Sequence, residues 1–175
     1  MRKVTFHVAT SLDNYIARKD GAIDWILGGE EVFSAMTELW QNVDTVVMGR
    51  KTYEPVLKSG TAFPTYPGVK NYVFSRTLKE SSDANVEITR EDAAEFVRKL
   101  KTEEGKDIFV LGGGLFAKSL FEAGLIDEVG LNIHPILLGS GTPLFNEMNY
   151  QIDLKLLECK TFKNGCVSVT YRVKS

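Results

Sequence analysis

Cysteine and histidine are scarce, with two of each in 175 residues. A zinc site draws its ligands from clusters of these side chains, so no metal centre is expected. Cys159 and Cys166 flank Asn164-Gly165, the strongest short signal for a two-residue hairpin turn. That turn pairs Lys163 with Cys166 and leaves Cys159 four residues further along the partner strand, about 13 Å away at the rise of a strand. A disulfide requires Cα atoms within ~7 Å, so both thiols are expected to be free, as in a reducing cytoplasm.

An excess of either charge is also missing. Twenty-one basic and 23 acidic residues leave a net charge of -2, which offers no general attraction to nucleic acid or anionic lipid. Any anionic ligand must be held locally. No apolar run approaches the ~20 residues of a membrane span, and the opening Met1 to His7 is broken by Thr5 and His7 where a signal peptide needs continuity. A cytoplasmic protein with no membrane or nucleic-acid partner is expected. Linkers, repeats and low-complexity stretches are lacking too, and the length suits one core, so residues 1–175 are read as a single domain.

What is present is an alternation of strand-like and helix-like segments, the pattern of an α/β fold. Val4 to Ala9 reads as a strand and is followed by a polar loop near Leu12 to Trp25. From Gly28 to Trp40 the positions Val32, Phe33, Met36, Leu39 and Trp40 recur at helical spacing. Thr45 to Met48 is a short buried strand running into a helix at Gly49-Arg50-Lys51-Thr52. A strand comes next near Asn71 to Ser75, and Thr89 with Asp92 forms a candidate capping box for a helix carrying Ala93, Phe96, Val97 and Leu100. Gly105 is placed to stop that helix. Ile108 to Leu111 is a central strand entering Gly112-Gly113-Gly114, with a helix from about Leu115 to Ala123. The remainder is β: Val129 to Ile133, then a hairpin of Leu154 to Phe162 with Val167 to Val173. This order predicts a central, mostly parallel sheet flanked by helices, with an antiparallel C-terminal hairpin at its edge.

Two segments suit phosphate. At Val46 to Thr52 a buried strand ends in glycine, and a helix N-terminus offers free N–H groups beside Arg50, Lys51 and the Thr52 hydroxyl. Taken alone, the same residues also describe an ordinary strand-to-helix turn. At Leu111 to Gly114 three successive glycines remove every side chain between a ligand and the backbone, at an entropic cost that a plain turn does not require. Gly112, Gly114 and Ala117 satisfy G-x-G-x-x-A, but a Rossmann site needs an acid ending the next strand about 20 residues on. Position 132 is Asn, and Asp127 and Glu128 precede the strand, so that reading is rejected.

In order along the chain, Val8 to Ala17, Met48 to Glu54, Pro67 to Arg76 and Gly112 to Gly114 resemble the dihydrofolate reductase superfamily. The resemblance implies that Gly49, Arg50, Lys51 and Thr52 grip the adenosine phosphates of NADPH and that Arg76 closes on the 2′-phosphate. It places Gly112, Gly113 and Gly114 along the pyrophosphate, and Ala9, Ile16 and Ala17 at the nicotinamide edge. Ser75, Leu111, Leu115 and Phe116 complete the implied cofactor set. Arginine's planar fork suits phosphate, in agreement with NADPH over NADH.

On the substrate side the chain departs from dihydrofolate reductase. The acid that contacts the pterin aligns with Phe33, and Glu31 fits only with a two-residue shift. The arginine that grips the folate tail aligns with Val69. Asp20 to Ile26 and His134 to Phe145 instead resemble the riboflavin-biosynthesis reductase, the RibD C-terminal domain family. That likeness implies hydride transfer from NADPH to a small pyrimidine or pterin-like ring, with a ribosylaminopyrimidine phosphate the nearest substrate. Asp24 and then Glu31 are the candidate catalytic residues, and Trp25, Phe33 and Asn132 the candidate substrate contacts. Trp25 either covers a bound ring or anchors its loop. His134 before Pro135 is read as a strand end, and Glu30 with Glu31 as an acidic helix start. Dihydrofolate reductase activity and a non-catalytic nucleotide-binding or dimerisation module are the alternatives. A homodimer is expected, because the hairpin around Asn164 leaves a sheet edge and related reductases pair.

Overall fold

The computed structural model describes residues 1–59, 68–81, 83–145 and 147–174. Pro67, the first residue of one segment of the resemblance, lies outside them. Ten strands and four helices occur in the order β1 (Val4–Ser11), β2 (Tyr15–Ala17), α1 (Glu30–Gln41), β3 (Val43–Gly49), α2 (Arg50–Ser59), β4 (Lys70–Phe74), β5 (Val86–Thr89), α3 (Ala93–Thr102), β6 (Asp107–Leu111), α4 (Gly114–Glu122), β7 (Glu128–His134), β8 (Thr142–Pro143), β9 (Leu154–Thr161) and β10 (Val167–Val173).

Eight strands form one sheet in the order β5-β4-β3-β6-β1-β7-β10-β9. The first six run parallel, β10 adds antiparallel to β7, and β9 adds antiparallel to β10. Helices cover both faces, so β3 and β6 read as continuous apolar runs and are buried on both sides. On one face Val97 and Leu100 of α3 and Ala117, Leu120 and Phe121 of α4 pack with Val4, Phe6, Val110 and Val129. On the other, Leu39 and Trp40 of α1 and Tyr53 of α2 pack with Val46, Met48, Val73 and Phe109.

Three local expectations are corrected. The N-cap of α3 is Asp92, whose carboxylate accepts from the Ala94 and Glu95 amides at 3.0 Å. The Thr89 hydroxyl serves the Glu91 amide one turn earlier, so there is no capping box. The helix ends at Thr102, because the chain turns extended at Glu103, and Gly105 instead sits where a Cβ would meet Asp44 and Arg2. The hairpin loop has three residues, Lys163 to Gly165. The Phe162 amide donates to the Cys166 carbonyl and the Gly165 amide to the Phe162 carbonyl, each at 2.9 Å. Only Gly165 takes positive φ (89°), whereas a two-residue type I′ turn needs it at both central residues. Cys159 accordingly faces Val169, and both cysteines are free.

β2 and β8, which were not among the expected elements, form a small second sheet that ties the loop after β1 to the segment after β7. β5 is likewise an unanticipated parallel edge strand. At the opposite end of the sheet Arg2 is buried, pairing with Asp44 and donating to Thr45 Oγ1 at 2.7 Å and to the Lys106 carbonyl at 2.6 Å. Asp44 also accepts from the Lys106 amide at 2.7 Å, so one carboxylate joins the starts of β1, β3 and β6. Asp44→Ala strands a buried guanidinium and should cost about 2 kcal/mol, the scale of a hydrogen bond to a charged group. Urea unfolding should show a lower midpoint at unchanged slope.

Candidate functional site

Met48 of β3 stands opposite Leu111 of β6, so the two parallel neighbours leave the sheet at the same level. α2 opens directly at Arg50 and α4 at Gly114, with Gly113 as its extended N-cap. Two helix N-termini, each with unpaired amides and positive dipole, therefore start from adjacent strand ends, an arrangement that favours anions.

The glycines here are sterically required. Gly112 has φ +106°, and a Cβ on it would fall on the Thr52 hydroxyl. A Cβ on Gly113 would come within 3.1 Å of Ile16 Cδ1, and one on Gly49 within 3.3 Å of Phe116 Cβ. Phe116 in turn packs on Phe74, which lies opposite Gly49. Residues from four segments thus converge: Ile16 of β2, Gly49 and Thr52, Phe74, and Gly112 to Phe116. Ala9 continues β1 past the end of its pairing with β6, and Ala17 comes directly after Ile16 in β2. Leu111 closes β6, and Leu115 is exposed on the first turn of α4.

The Ser75 hydroxyl is spent on its own turn, accepting from the Thr77 amide at 3.2 Å and the Leu78 amide at 2.9 Å. That turn leaves Arg76 exposed at the end of β4, without an ion-pair partner among the described residues. Arg50 pairs with Glu54 at 2.6 Å, and Lys51 is exposed. The backbone cradle, the amides and these cations fit a phosphorylated dinucleotide.

Each candidate catalytic carboxylate is held by a basic residue. Asp24 is exposed and bound by Arg18 at 2.7 Å, which holds its carboxyl below the usual range and keeps it ionised at neutral pH. Glu31 accepts from the Lys163 amide at 3.0 Å, and this bond likewise lowers its carboxyl. It shares a groove with Lys160 and Phe162 of the hairpin. Glu31 and Phe33 are two residues apart on a helix and so point to opposite sides; they do not line one pocket. Phe33 is 64% exposed. Trp25 is 5% exposed with its ring edge-to-face with His134 at 5.3 Å, which makes it an anchor of its loop. Asn132, between Ala9 and Ser168 in the sheet, has a buried Oδ1 without a hydrogen bond among the described residues.

Sequence reasoning missed Asp13. Its carboxylate accepts from Ser11 Oγ at 2.6 Å and from the Leu138 and Gly139 amides at 3.0 and 2.7 Å, bonds that hold its carboxyl below the ordinary range. It missed His7 as well, stacked on Phe109 and pushed down by burial against a smaller opposing effect of Glu128. Ser11 is a local partner of Asp13, but Leu138 and Gly139, like Phe109 and Glu128 beside His7, are distant in sequence, so no local pattern marks the role of either residue.

The family described as RibD C-terminal domain matches residues 2–168. The chain is 37% identical to the uncharacterized protein YwjB of Bacillus subtilis over 162 residues, 92% of each chain. A Shewanella sp. PV-4 protein named for riboflavin biosynthesis superposes with TM-score 0.86 and 29% identity, over all of both chains. Acinetobacter baumannii RibD superposes with TM-score 0.76 at 17% identity, the chain covering 58% of it, which is a likeness of fold.

Gly112→Ala should cost roughly 1 to 3 kcal/mol, the range for a non-glycine residue held in a sparsely populated backbone region. Adding Thr52→Ala should recover part of that loss by removing the collision while leaving the backbone strain. Thermal unfolding of the two single variants and the double variant measures the coupling.

Proposed function

The chain belongs to the RibD C-terminal domain family, and from that premise we propose that it is an NADPH-dependent reductase of a small pyrimidine or pterin-like ring. The observation that carries this reading is the sequence of chemistries along one sheet edge. Arg76 comes after β4, Arg50 and Lys51 after β3, Gly112 to Gly114 after β6, and Ala9 lies on β1; these four strands are consecutive neighbours. Three strand spacings span ~14 Å, suited to an extended dinucleotide. Cations at one end, bare backbone in the middle and apolar residues at the other match its phosphates, pyrophosphate and nicotinamide in turn.

When bound, NADPH supplies the hydride. The chain's task is alignment and exclusion of water. Ile16, pressed on Gly113, and Ala17 form an apolar wall beside the glycine cradle. The buried Asn132 Oδ1 is an acceptor suited to a ring N–H, and the exposed Phe33 ring is suited to stacking. Asp24, kept ionised by Arg18, serves loop order in this reading rather than proton donation. Val69 in place of a folate-gripping arginine favours a substrate without the folate tail.

Arg76→Ala should weaken NADPH binding by about 10 to 150-fold, the equivalent of roughly 1.5 to 3 kcal/mol, and leave NADH binding unchanged. Calorimetric titration of both cofactors measures the split. An equal loss for both puts Arg76 on a phosphate that they share, and wild type binding neither below millimolar favours a non-catalytic module.

We also propose a homodimer built on β9. This strand of eight residues is one edge of the sheet, exposed along its whole length, and carries Leu154, Leu156 and Leu157. Unpaired backbone groups beside exposed leucines favour association with a second copy. Leu156→Lys should shift the light-scattering mass at micromolar concentration from two chains to one; a wild-type mass of one chain removes the proposal.

A further inference from the structure

The loop from Leu12 to Leu27 carries Ile16, Ala17, Asp24 and Trp25, and one segment, His134 to Leu144, holds it at both ends. At the near end the Leu12 amide donates to the Ile136 carbonyl at 2.9 Å and Asp13 accepts the Leu138 and Gly139 amides. In the middle the Leu144 amide donates to the Asn14 carbonyl at 2.8 Å, and Gly141 leaves no room for a Cβ beside the Ala17 carbonyl. At the far end two side chains attach it, Asn164 Nδ2 donating to the Gly28 carbonyl at 3.0 Å and, within the loop itself, His134. His134 Nδ1 accepts the Leu27 amide at 3.1 Å, and the His134 ring meets Trp25 edge-to-face.

We propose that His134 is the positioning residue of this loop: its uncharged imidazole accepts the Leu27 amide and seats Trp25, and a proton on Nδ1 releases both.

The hydrogen bond dictates the tautomer, because Nδ1 can accept only if the ring proton is on Nε2. Cys166 Sγ lies 3.3 Å from the same nitrogen, and burial pushes that thiol up, so it keeps its proton and can only donate to Nδ1. His134 is completely buried, and Nε2 has no hydrogen-bond partner among the described residues. The ring is faced by Cys166, which immediately precedes β10, Ser11 of β1 opposite it in the sheet, and Trp25 and Leu27 of the loop. Only Cys166 among these titrates, and it is neutral. The nearby Asp13 carboxylate is already engaged by Ser11, Leu138 and Gly139. No anion therefore compensates an imidazolium, and a proton on Nδ1 would set two N–H groups against each other.

Burial lowers the affinity of His134 for a proton below its ordinary value. The folded state then binds fewer protons than the unfolded state. The latch is fully present above the unfolded value of about 6.5 and is lost as pH falls through the lower folded value. The latch itself does not depend on the cofactor reading; its consequence, displacement of Trp25 and of the loop that carries Ile16 and Ala17, does rest on it.

Native-state hydrogen exchange of the Leu27 amide, followed by NMR with the His134 ring titration in the ligand-free protein, tests the proposal. Protection corrected for intrinsic exchange should fall by about tenfold or more as His134 protonates, the scale of one lost backbone hydrogen bond, and should not track the His7 titration. His134→Asn, which offers an amide oxygen near the position of Nδ1, should keep protection at every pH. His134→Leu should lack it at every pH. Leu27 protection that stays constant through the His134 titration, or that persists in His134→Leu, overturns the proposal. If His134→Leu fails to fold, the wild-type titration decides. NADPH titration of wild type at neutral pH separately tests the cofactor reading, so the two failures are distinguishable.

Discussion

The parallel pairing of β3 with β6 is the constraint on which the candidate site depends. It brings Met48 level with Leu111 and makes α2 and α4 start side by side. Two helices cannot leave neighbouring strand ends without crowding the turns between strand and helix. Phe116 fills the space above Gly49 and Thr52 the space above Gly112, so side chains at either glycine are excluded by packing before any ligand is considered. The phosphate-suited cradle is a by-product of that crowding. Bare backbone, exposed amides and dipole ends are left facing the same opening.

Around this rigid edge, the loop after β1 carries little regular structure of its own. It has one short strand, β2, and borrows the rest of its order from the segment after β7. Asp13 and His134 do the holding by different means. Asp13 is a charged acceptor with three donors, and His134 a neutral acceptor with one amide and one thiol. Charged hydrogen bonds are roughly twice as strong as neutral ones. The Leu12 end of the loop is therefore the firmer attachment and the Leu27 end the one that a proton can undo.

The charges are distributed in the same sense. Arg18 is committed to Asp24 and Arg50 to Glu54, while Arg76 and Lys51 are exposed beside the strand ends. A chain with net charge -2 has no diffuse attraction for an anion. Recognition of one must come from these few local groups and the two helix ends, which makes it specific in place and sensitive to salt.

The sequence by itself determined the central strands, the C-terminal hairpin, the helices and the place where glycine and cation meet, but not the short strands β2, β5 and β8. Those signals are local: Val46-Val47-Met48 is apolar on both faces because its strand is central, and Gly112-Gly113-Gly114 is conspicuous without any partner. The tertiary structure decided which of the remaining side chains do what. Asp92 caps α3 in place of Thr89 because the helix starts one turn later than the motif suggests. Trp25 is an anchor because His134, more than 100 residues away, arrives beneath it. Glu31 turns to the hairpin because Lys163 is brought there by a sheet edge that no window of sequence around Glu31 contains. Periodicity and composition record the environment a residue expects, burial or solvent, but not the identity of a neighbour delivered by another strand. That identity is fixed only when the order of strands in the sheet is fixed.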